Sequence, residues 1–565
     1  MTTLHDYHSE VLAWIDQDPD LATVAELRAL LEASQAGDEH AQAEITDRFS
    51  TRLNFGTAGL RGAIAAGPNR MNRVVVIQAA AGLARYLLAH AQAGKTPSVV
   101  IGFDGRKNSE VFARDTAEIM SGLGVEALLM PRMLPTPILA FSVRELDASA
   151  GVMVTASHNP AADNGYKVYL GGNDQGSQIV SPADALIAEQ IDFVATQMNV
   201  GELARGTYSI IAESVIENYI SQTALVAGNT ALAPSTQPHF IYTAMHGVGY
   251  ETFAAVISRA GFVVPEVVAE QNIPDATFPS VEFPNPEEPG ALDLAYGLAR
   301  RTKAELIVAN DPDADRLAVA IPDKTAAEGY RRLTGNELGA VLGWRTAREL
   351  TRTNKSGTLA CSIVSSPALS AVANHYGLDF RWTLTGFKWV SRVENLAYGY
   401  EEALGYLVNP GTIRDKDGIS AAVALLSLVN ELKSNGSTLS DHLEEFSMTF
   451  GHFASEQISL RVSDLSEIPR LMTNLRSSQP DFVGGSAVLT LDDLLEGNSD
   501  FPPSDVLRFW LEDGSRIMVR PSGTEPKLKI YIDVVSREGD LAHRTSDAAK
   551  RLSTLAEGMK ELLGL

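Results

Sequence analysis

Three aspartates stand at alternate positions in "ANDPDADRLAVA", residues 309–320, directly after the apolar run "ELIVA". Carboxylates at i, i+2 and i+4 repel one another unless a cation sits among them, so Asp311, Asp313 and Asp315 form a candidate divalent-metal set. An EF-hand does not fit. Its sixth position requires glycine and holds Arg316, and its twelfth requires glutamate and holds Pro322. Hard oxygen donors suit magnesium. The ordinary alternative is a solvated acidic loop.

A second cluster, "MVRPSGTEPKLKIY" at 518–531, gathers Arg520, Ser522, Gly523, Thr524 and Lys527. A guanidinium, two hydroxyls, an ammonium and a permissive backbone make up the inventory of a phosphate cradle; an ordinary surface turn would use similar residues. Ser157 and His158 lie side by side in "GVMVTASHNP", 151–160, where an apolar strand opens into a polar loop. Neighbours on an extended chain point to opposite sides, so His158 need not face Ser157 as its base. In "YGYEEALGYL", 398–407, Glu401 and Glu402 could accept hydrogen bonds from sugar hydroxyls; the plainer reading is an acid-rich helix start. "FGTAGLRG", 55–62, places Arg61 among glycines, which suits an anion-facing loop. "QAGKTPS" at 92–98 only imitates a nucleotide loop: Ala89 stands where glycine is required, and Pro97 stops a following helix. It is expected to be a surface loop.

These loops need elements to hold them. Apolar runs ending in polar loops recur at "TPSVVIGFDGR", "SAGVMVTASHNP", "HFIYTAMHGVG", "AELIVANDPDADR" and "GTLACSIVSS", separated by helical patterns such as "EVFARDTAEIMSGLG" and "ETFAAVISRAGF". That alternation predicts α/β domains with largely parallel sheets, whose ligands bind beyond the carboxyl ends of the strands. "VVVIQAAAGLARYLLAHAQ" reads as a buried helix and "TVAELRALLEA" as an amphipathic one. The last part changes rhythm. "SEQISLRV", "SAVLTLDD", "LRFWLEDGSRIMVRPSG" and "KLKIYIDVVS" read as an antiparallel sheet closed by the helix "SDAAKRLSTLAEGMKELLGL". Proline- and glycine-containing stretches divide the chain into domains at 1–207, 208–324, 325–446 and 447–565.

The bulk properties narrow the function. The 565 residues carry 70 acidic and 46 basic side chains, a formal charge of −24, which opposes nucleic acid as a partner. An anionic small substrate must therefore be held by local basic clusters. The acidic start lacks the pattern of a secretory signal, and no long apolar run suggests a membrane span. A single cysteine, Cys361, excludes an internal disulfide and suggests a reducing, cytoplasmic setting.

Taken together and in order, "TASHNPAADNGYK", "DPDADR", "GYEEALG" and "RPSGTEPK" resemble the phosphoserine, metal, sugar and phosphate loops of the α-D-phosphohexomutase family. The resemblance spans essentially the whole chain. It implies a heart-shaped, four-domain α/β molecule around a central cleft: three mixed-sheet α/β domains and a C-terminal α+β domain. It implies that Ser157 carries a transferable phosphoryl group and completes a site for one magnesium ion held by Asp311, Asp313 and Asp315. Lys167 matches a general acid/base and His158 a loop histidine near the reacting oxygen. Arg316, Lys388 of "TGFKW", Glu401, and Arg520, Ser522, Gly523, Thr524 and Lys527 match substrate contacts. Arg61 and Arg106 of "DGRK" resemble further basic contacts. The implied activity is phosphoglucomutase, interconverting glucose 1-phosphate and glucose 6-phosphate through glucose 1,6-bisphosphate, with mannose phosphates as further substrates. Ala403 stands where many hexose-specific members have serine, which opens the alternative of a phosphopentomutase. A sugar-bisphosphate synthase or a catalytically silent sugar-phosphate sensor are further readings. The expected partners are small sugar phosphates, with the chain a monomer or homodimer.

Overall fold

The computed structural model describes residues 7–228, 236–462, 466–522 and 527–564. It contains four sheets, and the chain divides into two compact units, one of residues 1–332 with 407–427 and one of 333–406 with 428–565.

The first unit holds two mixed sheets. In the first, Ala150–Val154, Ser98–Phe103, Glu126–Leu129 and Ser209–Ile210 run parallel in that spatial order. Asp163–Leu170 then adds antiparallel to Ala150–Val154, and Leu60–Ala63 antiparallel to it. The alternation expected from the sequence is realised here, with the buried helix observed at Arg73–Ala89. Asn72 caps that helix, its side chain accepting from the Val75 N–H. The second sheet has Leu306–Asn310 parallel to Phe240–Thr243 and antiparallel to Leu317–Pro322, which pairs with Tyr330–Arg332. Two sheets thus run past the expected boundaries: Ser209–Ile210 belongs to the first, beyond residue 207, and Tyr330–Arg332 to the second, beyond 324. Short strands with few apolar residues carry too weak a period to be placed by pattern.

In the second unit, Thr358–Ser362 lies parallel to both Asp379–Thr383 and Leu396–Glu401. The last sheet is antiparallel throughout, in the order His452–Arg461, Lys527–Ser536, Arg516–Pro521, Leu507–Leu511, Ser486–Asp493 and Phe482–Val483. The closing helix is Leu541–Leu563. Residues 91–96 form an exposed connection, as expected for the nucleotide-loop imitation, and Pro97 behind them is buried. Among the described residues, no helix is long and apolar enough to cross a membrane.

A buried carboxyl group anchors residues 407–427 to the rest of the first unit. Asp417 accepts from the Tyr219 hydroxyl at 3.0 Å and from the Ile419 and Ser420 amides at 2.9 and 3.0 Å. Burial outweighs these bonds and pushes its pKa up to about 6. Between pH 4 and 6 the folded chain therefore holds a proton that the unfolded chain has lost, and this group's contribution weakens as pH rises through that window. Asp417→Asn removes the titration. The stability of wild type relative to the variant should fall by about 3 kcal/mol from pH 4 to pH 7. Urea titrations at several pH values measure it, and a pH-independent difference would contradict the assignment.

Candidate active site

Ser157 follows the strand Ala150–Val154 in a loop with its backbone at φ +51°, a conformation a residue with a Cβ adopts only under constraint. The constraint is visible. Thr155 Oγ1 accepts from the Ser157 N–H at 2.8 Å and donates to Asp104 at 2.6 Å. Asp104 also accepts from Ser109 Oγ at 2.7 Å and from the Arg106 amide at 3.0 Å. The buried Arg106 guanidinium donates to four loop carbonyls: Ser157 and Asn159 at 2.6 Å each, Pro160 at 2.8 Å and Asp163 at 3.1 Å. The residue expected to touch substrate is thus committed to shaping the serine loop.

The aspartates occupy the turn between Leu306–Asn310 and Leu317–Pro322. Adjacent antiparallel strands hold both ends of the turn. Asn310 ties it across, donating to the Arg316 carbonyl at 2.6 Å and accepting from Tyr242 at 2.8 Å. Gly418 packs against the Arg316 carbonyl, where any Cβ would overlap that oxygen.

Serine and aspartates meet. Ser157 Oγ donates to Asp311 Oδ2 at 2.7 Å and lies 3.2 Å from His158 Nδ1. Lys167 Nζ donates to Asp313 at 2.8 Å and to Asp315 at 2.9 Å; Lys416 Nζ lies 3.3 Å from Asp315. Thr136 Oγ1 donates to Asp313 at 2.6 Å. Arg316 Nε is 3.9 Å from Asp311, and Arg61 reaches the Asn159 side chain at 3.0 Å. Of the residues expected from the sequence, Ser157, His158, Lys167, the three aspartates, Arg316 and Arg61 are gathered here. Lys416 and Thr136 are additional. Lys416 had a sequence signal in the alternating charges of "RDKDG", whereas Thr136 in "PTPIL" had none.

The electrostatics follow from burial. Burial, then repulsion from Asp313 and Asp315, holds the Asp311 carboxyl well above the ordinary range. Burial opposes charge on Lys167 too, but Asp313 and Asp315 outweigh it and keep the ammonium protonated. Burial, with Arg316 and Arg61 next, pushes His158 well below the usual imidazole value and keeps it neutral. Ligand oxygens from the three aspartates lie within 4.8 Å of one another, and Asp313 Oδ1 and Asp315 Oδ1 are buried without a hydrogen-bond partner. Orphaned buried carboxylate oxygens in a hard-donor set fit a divalent cation such as magnesium.

Two further loops expected from the sequence lie in the second unit. Glu401 ends the strand Leu396–Glu401, and a turn leads to Gly405–Leu407; the acid pair lies at a strand-to-strand turn, not at a helix start. Glu401 Oε1 accepts from the Gly386 amide at 2.6 Å, tying it to the loop that carries Lys388 on the short helix Phe387–Val390. Gly335 lies against the Glu402 carbonyl, where a Cβ could not fit. Arg520 sits near the end of Arg516–Pro521, and Lys527 begins Lys527–Ser536. The Ser522 amide donates to the Lys527 carbonyl at 2.8 Å. Gly523 and Thr524 lie outside the described residues.

A constrained serine bonded to one of three buried aspartates, with lysines and arginines around them, is suited to handling a phosphoryl group. Models of the phosphoglucomutase/phosphomannomutase family match in sequence order: α/β/α domain I at 52–197, domain II at 217–324, domain III at 334–449 and the C-terminal domain at 458–548. The chain is 52% identical over 494 residues to a Haemophilus influenzae protein named "Probable phosphomannomutase", covering 87% of this chain and 98% of that one. It is 33% identical over 597 residues to the human phosphopentomutase, covering 98% and 95%. Among solved structures, a phosphoglucomutase/phosphomannomutase family protein from Burkholderia thailandensis shares the fold, with a TM-score of 0.68 at 18% identity over 91% of this chain and 98% of that one. The chain belongs to the phosphoglucomutase/phosphomannomutase family, the α-D-phosphohexomutases. It is a four-domain α/β enzyme of the mutase class, an isomerase acting on sugar phosphates.

Proposed function

We propose that this enzyme interconverts glucose 1-phosphate and glucose 6-phosphate, and accepts mannose phosphates, by way of a phosphoserine at position 157 and a sugar bisphosphate. The observation that carries the reading is the 2.7 Å bond from Ser157 Oγ to Asp311 within a triad whose other two aspartates each have an orphaned oxygen. The sugar hydroxyl attacks phosphorus as the Ser157 Oγ–P bond breaks, giving the bisphosphate. The other sugar phosphate then returns its phosphoryl group to Ser157 as its own P–O bond breaks. Asp311, Asp313 and Asp315, with an oxygen on Ser157, would hold one magnesium ion, which supplies positive charge against the phosphoryl oxygens. Lys167, kept protonated, is placed to donate a proton, and neutral His158 to accept one. Arg61 and Arg316 add positive charge. Arg106 is reassigned from substrate contact to positioning residue for the serine loop. Glu401 and Lys388 are proposed to contact the sugar, and Arg520, Ser522, Gly523, Thr524 and Lys527 to clamp the non-reacting phosphate. Glucose 1,6-bisphosphate would prime the serine. The single buried thiol, Cys361, fits a cytoplasmic setting.

The intact serine, aspartates and lysine, together with relatives named mutases, leave no support for a silent sensor. One specific observation favours a second substrate: Ala403 offers no hydroxyl in the sugar loop, and a full-length relative is named phosphopentomutase. Comparing kcat/KM for glucose, mannose and ribose 1-phosphates, each with its bisphosphate activator, decides between them. A glucose value at least about tenfold above ribose, a discrimination of about 1.4 kcal/mol, is expected. The reverse order would replace this reading with the pentose one.

A further inference from the structure

Arg516 is among the largest fully buried side chains of the described residues, 1% exposed, and it lies in the strand that leads into the phosphate loop. Across the ladder it faces Asp533, also buried, and donates to it through Nε at 2.8 Å. Asp533 is held in turn by Ser455 Oγ at 2.5 Å. The far side of the guanidinium leaves the C-terminal domain altogether. Nη2 donates to the Ser365 carbonyl of domain III, and the guanidinium carbon lies 4.3 Å from the centre of the Trp382 ring.

Ser365 is bonded to the sugar loop twice. Its Oγ donates to Glu402 Oε2 at 3.0 Å and accepts from the Glu402 amide at 3.1 Å. Ser362 Oγ supports the same carboxylate at 3.0 Å, and adjacent Glu401 holds the Gly386 amide. A continuous set of bonds therefore runs from the strand pair that frames the phosphate loop to the turn that carries Glu401. A buried ion pair is a costly way to fill space, because apolar residues of similar volume are often at least as stabilising, and one use of such a pair is to fix a single arrangement. Arg516 Nη1 is buried with no partner, a further cost that apolar packing would avoid.

We propose that Arg516 is a specificity-determining positioning residue: it sets the spacing between the sugar loop and the phosphate loop, and so the length of sugar phosphate the enzyme prefers. This rests on the proposed roles of those two loops. Counted from the anomeric carbon to the carbon that bears the distal phosphate, a hexose phosphate is one carbon longer than a pentose phosphate, a difference of about 1.5 Å. A misplacement of about 1 Å can cost about a hundredfold in rate, so a fixed spacing discriminates between the two lengths. Arg516 acts through Ser365 and Glu402 and need not touch the substrate.

The test compares Arg516→Met/Asp533→Leu, which replaces the pair by apolar side chains, with Ser365→Ala, which leaves the pair intact and cuts the link to Glu402. For each, kcat and KM with glucose 1-phosphate and ribose 1-phosphate are measured, with calorimetric Kd values for glucose 6-phosphate and ribose 5-phosphate, and thermal unfolding as the check on folding. Both variants should keep a cooperative transition. KM for the preferred sugar should rise about 10- to 100-fold with kcat changing much less, and the preference ratio should shrink about tenfold or more. An unchanged ratio and KM in a folded double variant overturns the proposal. If the double variant does not fold, an unchanged ratio in Ser365→Ala overturns it. A wild type that prefers ribose would defeat the glucose reading yet leave this inference standing, because each shift is measured against the wild type's own preference.

Discussion

Ser157→Ala should lose mutase turnover by about 10⁴-fold or more while still binding glucose 6-phosphate within about threefold of wild type. Ser157 Oγ is the atom proposed to carry the phosphoryl group, and the two threonine hydroxyls nearby are already committed, Thr155 Oγ1 to Asp104 and the Ser157 amide and Thr136 Oγ1 to Asp313. Binding should survive because the proposed sugar and phosphate contacts, Glu401, Lys388 and Arg520 with its loop, are in other segments of the chain. Structural damage should be small. The variant deletes one hydrogen bond to a carboxylate, worth about 1–3 kcal/mol, and the positive φ is imposed by Arg106 and Thr155 rather than by the serine side chain. Intact mass after incubation with glucose 1,6-bisphosphate supplies the second readout. Wild type should gain one phosphoryl group and the variant none. Wild-type-like turnover in Ser157→Ala would exclude the phosphoserine route, and a phosphorylated variant would place the phosphoryl group on another residue.

How far the sequence alone led depends on the kind of signal. Strands such as Ser486–Asp493 and Lys527–Ser536 were readable to the residue, because each is a clean run between turn-forming stretches. Ser209–Ile210 was not: two exposed residues hold their place only by pairing with Leu128 and Leu129. The aspartate turn announced itself through three alternating like charges that suit a cation, and the burial of all three sets aside the solvated-loop alternative. The acid pair at 401–402 was ambiguous, since adjacent carboxylates suit a helix start and a strand end alike; the pairing of Leu396–Glu401 with Thr358–Ser362 decides for the strand turn. Arg106 shows the opposite failure. An arginine in "DGRK" reads as a ligand for an anion, and only the folded loop reveals four carbonyls that take up its Nη donors. Lys416 and Thr136 reach the aspartates from sequence distances of about a hundred residues or more, and such pairings are set by tertiary packing, not by local pattern. Arg516 likewise looks like an ordinary strand charge until its burial is seen.

Asp311→Asn should abolish turnover and yet stabilise the metal-free protein. The three aspartates are not equally compensated. Asp313 and Asp315 share Lys167, and Lys416 adds to Asp315, so Asp315 is held well below the usual carboxylate range. Among the described residues, no lysine pairs with Asp311. Its oxygens accept from Ser157 Oγ at 2.7 Å and from the Arg316 amide at 3.0 Å, with Arg316 Nε no closer than 3.9 Å. Burial and the two neighbouring carboxylates therefore leave Asp311 as the member that resists ionisation most. A neutral amide keeps one acceptor for the Arg316 amide and removes the repelled charge, for a gain of about 1–2 kcal/mol in metal-free stability at neutral pH. The sign with pH follows from the raised pKa: the folded metal-free wild type holds this proton more tightly than the unfolded chain, so Asp311's contribution to stability declines as pH rises, and the variant loses that decline. The same proton competes with a cation, so wild-type magnesium affinity should weaken on acidification. Scanning calorimetry after chelation, followed by titration with magnesium chloride alone, reads all of this. Wild type should show a magnesium-dependent rise in Tm that Asp311→Asn largely lacks. A variant that is less stable than wild type without metal, and still binds magnesium as tightly, would show that Asp311 is a paired structural carboxylate and not a ligand held ready for a cation.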